Sequence, residues 1–210
     1  MNIINNLKSI KNNLISLKSG TTIIIVCKNQ EIVKIKDLVN YGHLDFGENK
    51  VQEGEKKWQE ILNLHKNINL HFIGKLQSNK AKQAFKLFNY IHSLDSEKLA
   101  KCFSDLEISY KKKIKYFIQV NIGDEEQKNG ISEEKLKQFI KLCVHYLKLN
   151  VIGLMCIPPA KGDPSVYFKR LAELAKENNL NELSMGMSND YESAINNGAT
   201  FIRIGSKIFS

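Results

Sequence analysis

The chain has 210 residues, 42% hydrophobic and 25% charged, with a net charge of +9. That length and balance suit one soluble domain, 1–210, with a sizeable core. No apolar run approaches the ~20 residues of a membrane span, so a cytoplasmic protein with no membrane partner is expected.

The N-terminal stretch MNIINNLKSIKNNLISLKSG has neither a long apolar centre nor a small-residue cleavage site, unlike a secretory signal. Ile3, Leu7, Ile10, Leu14 and Leu17 have helical spacing, and Gly20 is a natural stop. Eight short apolar runs follow as predicted strands: Thr22–Val26, Leu44–Phe46, Leu70–Ile73, Tyr90–Leu94, Tyr116–Ile122, Val151–Ile157, Glu182–Met185 and Phe201–Ile204. Helical patterns lie between most of them. In Ser132–Leu147, Ser132 is placed to cap, Glu133 and Glu134 suit the positive end of the dipole, and Leu136, Phe139, Ile140, Cys143, Val144 and Leu147 share a face. In Asp190–Asn197, Tyr191, Ala194 and Ile195 share a face, and Gly198 suits the C′ position.

Continuously apolar strands alternating with helices predict an α/β protein with parallel strands covered by helices. Eight of them predict a single (β/α)8 TIM barrel. Only Gly205–Ser210 follow the last strand, too few for a full outer helix, so the extra N-terminal helix is expected to fill that position. Pro158 and Pro159 end strand six. Cys27, Cys102, Cys143 and Cys156 are scattered, which supports neither disulfides nor a zinc site and fits a reducing compartment. The lysines are spread along the chain, often beside Glu or Asp, with Lys111-Lys112-Lys113 the one dense run. With no aromatic-and-basic stacking pattern, a nucleic-acid partner is not expected.

Two Gly/Ser turns end the last two strands: Met185-Gly186-Met187-Ser188 and Ile204-Gly205-Ser206. Small residues let backbone N–H groups approach an anion, and adjacent turns at the end of a barrel make a phosphate cradle. Arg203 lies close enough to reach whatever the phosphate carries. Ser188 alone also reads as a helix N-cap. At the other end of the chain, Lys28 follows strand one, on the face where barrel chemistry occurs. A lysine against apolar walls becomes a nucleophilic amine able to form Schiff bases, whereas a lysine that merely ends a strand snorkels to water. Asn49 offers a donor and an acceptor at the mouth, and Met155 an apolar wall for a planar ligand. His71 reads as a packed histidine. A lysine facing a phosphate cradle suits a phosphorylated aldehyde, and pyridoxal 5′-phosphate (PLP) is the obvious cofactor.

These stretches resemble the pyridoxal phosphate homeostasis family: Val26-Cys27-Lys28, FGENKVQE from Phe46, HFIGKLQSNK from His71, IHSLD from Ile91, QVNIGDEEQKNGI from Gln119, GLMCIP from Gly153, and LSMGMSNDYESAI with RIGSKIF. They run in order across nearly the whole chain. The resemblance implies a barrel similar to the N-terminal domain of bacterial alanine racemase, with PLP held as a Schiff base on Lys28. It places Arg203 at the pyridine nitrogen, Ser188, Gly205 and Ser206 on the phosphate with Met187 beside it, and Asn49 near the ring. The chain departs from the family's usual Ser-Lys-Thr at Cys27-Lys28-Asn29, from an aromatic or Arg at Lys50, and from Thr at Ser206.

The resemblance also implies a carrier rather than a catalyst, with no catalytic and no metal-ligating residue. Alanine racemase uses a tyrosine of a C-terminal β domain as its second base, and this chain leaves no room for such a domain. The expectation is a monomeric protein of PLP homeostasis whose partners are PLP and apo PLP-dependent enzymes. A slow racemase-like enzyme is the alternative.

Overall fold

The computed structural model describes residues 2–125 and 129–210, so residues 126–128 of the QVNIGDEEQKNGI stretch lie outside the described residues. Its first element is helix α1 (Ile3–Ser16), capped by Asn2, whose side-chain oxygen accepts from the Ile4 N–H at 2.9 Å. Leu7, Ile10 and Leu14 are buried, each contributing about 2 kcal/mol of apolar burial. The helix stops earlier than Gly20. Ser19 N–H donates to the Leu14 carbonyl, and Lys18 takes the left-handed turn at φ 51°.

The remaining elements alternate: β1 (Thr22–Val26), α2 (Ile32–Asn40), β2 (Asp45–Glu48), α3 (Val51–Leu64), β3 (Asn69–Phe72), α4 (Ala81–Leu87), β4 (Tyr90–Leu94), α5 (Glu97–Tyr110), β5 (Lys115–Gln119), α6 (Glu133–Lys141), β6 (Asn150–Met155), α7 (Pro164–Glu177), β7 (Glu182–Met187), α8 (Tyr191–Asn196), β8 (Phe201–Ile204) and α9 (Ser206–Phe209). All eight strands pair in parallel and in order, and β1 closes on β8 with Thr22 opposite Phe201 and Ile25 opposite Ile204. This is the (β/α)8 barrel expected. The last helix, α9, has four residues. Helix α1 packs on it, with the Asn6 amide donating to the Ile208 carbonyl at 3.0 Å, and also reaches α8, where the Asn13 amide donates to the Tyr191 hydroxyl at 2.7 Å.

Several strand ends differ from the sequence reading. β2 continues to Glu48, because Glu48 is buried and meets Lys57 and Trp58 from α3. β5 stops at Gln119, and Asn121 turns onto the Glu125 backbone, donating to its carbonyl and accepting from its N–H. β7 runs to Met187 with an extra residue: Ser184 faces Phe201 and Met187 faces Arg203. The expected helix Ser132–Leu147 is α6 followed by a π-helical turn over Leu142–Tyr146, and the Ser132 side chain makes no cap bond. The main core lies between strands and helices, around Trp58, Phe46, Phe72, Phe103 and Phe168. A second cluster of Tyr90, Phe117 and Met155, joined by Ile152 and Phe201, sits apart from it.

Candidate functional site

At the C-terminal ends of the strands lies a cavity of about 960 Å³. Lys28, Asn49, Met187, Ser188, Arg203, Gly205 and Ser206 all line it. Met155 does not, contrary to the expected wall role. It is fully buried in the second cluster, and the wall comes from Ile157 and Pro158 after the strand. Gln119, Lys75 and Asn129 also line the cavity and were not singled out as site residues from the sequence. Gln119 opens a family motif, but its role depends on a loop fold: its amide donates to the Asn129 carbonyl at 3.1 Å.

Lys28 is exposed at the cavity edge, not packed among apolar walls. Its flanks are fixed. The Lys57 ammonium donates to the Cys27 carbonyl at 2.6 Å, and Asn29 N–H donates to the Glu53 carboxylate at 2.7 Å. Lys57 and Glu53 pair at 2.6 Å, one helical turn apart on α3. Burial acts upward on the Glu53 carboxyl, but the bonds from Lys57 and Asn29 prevail and hold it below the usual range. Asn29 adopts φ 57°, a conformation asparagine tolerates better than the β-branched threonine usual in the family.

Opposite, Gly186 takes φ +89° where a Cβ would lie 2.5 Å from Ala194. Together with the extra residue in β7, this turns Met187 out toward the cavity. Ser188 is not the helix cap. Asp190 holds that position and accepts from Met187 N–H at 2.6 Å. The Ser188 hydroxyl instead accepts from Gly205 N–H at 3.3 Å and Lys207 N–H at 3.4 Å, joining the turns after β7 and β8. Arg203 is 4% exposed, and its two protein acceptors among the described residues are neutral: the Ser184 hydroxyl and the Cys156 carbonyl, both at 2.9 Å. Burial lowers its pKa, and Asp190 acts against that shift.

Asn49 begins the loop after β2. Its side-chain oxygen is buried and has no hydrogen-bond partner among the described residues. The loop after β3 crosses beside it at Gly74, where a Cβ would stand 2.2 Å from the Asn49 carbonyl oxygen, so only glycine fits. His71 is fully buried, stacked 4.2 Å from Tyr90 and bonded to Asp45 and His92, as a packed histidine should be.

The profile of the alanine racemase N-terminal domain family matches residues 2–210. The "Pyridoxal phosphate homeostasis protein" of Aquifex aeolicus (strain VF5) is 39% identical over 184 residues, 83% of this chain and 80% of that one. The chain belongs to this family. Two structures of PipY from Synechococcus elongatus PCC7942 belong beside it. The form without PLP is 32% identical with a TM-score of 0.90, and the form with PLP bound is 31% identical with a TM-score of 0.88. Each covers 99% of this chain and 100% of the PipY chain. The family's barrel is therefore the one seen here, and its C-terminal mouth holds the cavity described above. Among the described residues no helix is long and apolar enough to cross a membrane.

Proposed function

We propose that this protein, as one unit over 1–210, binds PLP through a Schiff base on Lys28 and serves intracellular PLP homeostasis. One observation carries the reading: an exposed lysine two residues past the end of β1 shares a cavity with the turns after β7 and β8. The PLP-bound relative of the same fold supports it.

The residues present fit the cofactor. The Ser188 hydroxyl already gathers two backbone N–H groups at the point where the β7 and β8 turns meet, which suits a phosphate. Gly205 leaves the approach open, and Ser206 adds a hydroxyl at the same edge. The orphaned Asn49 side-chain oxygen awaits a donor. Arg203 brings a buried positive charge with donors to spare.

Bound PLP supplies an electron sink for carbanions at an amino acid's α-carbon. With the cofactor's ring nitrogen beside it, Arg203 would oppose protonation of that nitrogen, because a second positive charge nearby is costly, and this would weaken the sink. Racemisation also needs a second base across the substrate, and no tyrosine, the residue type that supplies it in alanine racemase, lines the described cavity. Both points favour a non-catalytic carrier, working as a cytoplasmic monomer that gives PLP to apo-enzymes.

Spectral titration tests the reading. Added PLP should give a band near 420 nm in the wild type and none in Lys28→Ala. Pyridoxal, which lacks the phosphate, should bind at least tenfold more weakly; equal binding would remove the cradle from the account. Rapid α-proton exchange of alanine or serine in deuterated water would favour the racemase-like alternative.

A further inference from the structure

A hydrogen-bonded chain crosses the barrel from its closed end to the cavity. Asp45, at the start of β2, lies with Oδ1 3.1 Å from His71 Nε2. His71 Nδ1 is 2.9 Å from His92 Nε2, and His92 Nδ1 is 2.8 Å from the Ser184 hydroxyl. Ser184 then accepts from Arg203 Nη1 at 2.9 Å. The five residues come from β2, β3, β4, β7 and β8, and residues 71, 92, 184 and 203 are all buried. Aromatic rings wall the chain: Tyr90 stacks on His71 at 4.2 Å, Phe117 on His92 at 4.3 Å, and Phe201 meets both histidines.

The protons have one arrangement that satisfies every member. Asp45 is ionised and accepts, so His71 donates from Nε2 and accepts at Nδ1. His92 must then donate from Nε2 and accept at Nδ1. That directs the Ser184 O–H to His92 and leaves the serine oxygen free to accept from Arg203. Both histidines are neutral in this arrangement. Burial lowers both their pKa values, with Asp45 acting against this on His71, and Lys115 and Arg203 acting with it on His71 and His92 respectively. The chain is not a proton conduit, because it ends on a guanidinium that keeps its protons.

We propose that Ser184, His92 and His71 are positioning residues for Arg203, and that Asp45 sets the direction of the hydrogen bonds that hold the guanidinium facing the cavity. The chain fixes both the orientation of Arg203 and the neutral, acceptor-only environment on its protein side. The consequence for the cofactor rests on the proposed function. The proton arrangement does not.

The test therefore has two readouts. In cofactor-free protein, ¹⁵N NMR of the histidine rings should show His71 and His92 both protonated at Nε2 and bare at Nδ1. In Ser184→Ala the His92 Nδ1 resonance should move toward that of a non-bonded ring nitrogen. In the second readout, Ser184→Ala should weaken PLP binding about 10- to 100-fold, as for loss of a hydrogen bond to a charged group, and Ser184→Thr, which keeps the hydroxyl, should restore it. A proton on His92 Nδ1, a charged imidazole at neutral pH, or unchanged PLP affinity in Ser184→Ala would overturn the proposal. Wild-type protein that takes up no PLP would refute the proposed function instead, and the ring tautomers alone would then decide the chain.

Discussion

The Lys57 ammonium sits 2.6 Å from the Cys27 carbonyl oxygen, one peptide before the lysine that faces the cavity. The same ammonium meets Glu48 at 3.2 Å and Glu53 at 2.6 Å, so its three donors are all engaged. Glu48 is fully buried, and its desolvation raises the carboxyl pKa despite Lys57 and Trp58. Removing one partner of such a pair leaves the other buried alone. Lys57→Met should therefore cost about 3 kcal/mol of stability in urea unfolding, and Glu48→Gln added to it should recover part of that loss. No loss in the single variant would show that Glu48 is already neutral and needs no cation.

Gly74 and Asn49 give a second prediction. A methyl at position 74 would meet the Asn49 carbonyl at 2.2 Å, so the backbone must move and carry Asn49 with it. Gly74→Ala should destabilise by about 2 kcal/mol, typical of forced overpacking, and weaken PLP binding as well. Calorimetry with and without PLP checks both. An unchanged midpoint would mean that the two loops separate freely.

Gly186 is the third case. Alanine there would meet both an unfavourable φ of +89° and Ala194 at 2.5 Å. Gly186→Ala should lower the thermal midpoint and release the Ser188 turn, so that affinity for PLP falls more than affinity for pyridoxal. Equal losses for both ligands would indicate that the turn does not touch the phosphate.

Acid pH gives the fourth. Burial holds the pKa values of His43, His71 and His92 below the ordinary value of 6.5, well below for His92. Unfolded histidines take up protons below about pH 6.5 that the folded ones refuse, so stability from these groups is present above that pH and lost as pH falls. Each contributes a slope of up to about 1.4 kcal/mol per pH unit in that window. The thermal midpoint should fall steadily from pH 6.5 to 5. A flat profile over that range would place these rings in contact with water.

Much of this arrangement was legible in the sequence because it is local. β1, β4 and β8 have the expected bounds: β1 is almost wholly apolar, while β4 and β8 keep apolar residues at both ends around His92 and Ser93 and around Arg203. The sequence ends the second strand at Phe46, because a glycine followed by a charged residue is ordinary turn chemistry, and only the Lys57 and Trp58 contacts from α3 show why Glu48 lies inside a strand. The residues that share the cavity were traceable as strand ends and small-residue turns. What supports them was not. Lys57 meets Cys27 across 30 positions, and His92 meets Ser184 across 92, distances over which no sequence period carries information. The apolar run through Ile157 puts Met155 on the expected wall, but β6 ends at Met155, so the cavity wall begins two residues later.

The most direct measurement is a peptide map of protein incubated with PLP and reduced with borohydride. A pyridoxyl phosphate adduct on the peptide holding Lys28, absent from Lys28→Ala, is the expected result. An adduct confined to other lysines, or none at all at saturating PLP, would contradict the assignment of this amine to the cofactor.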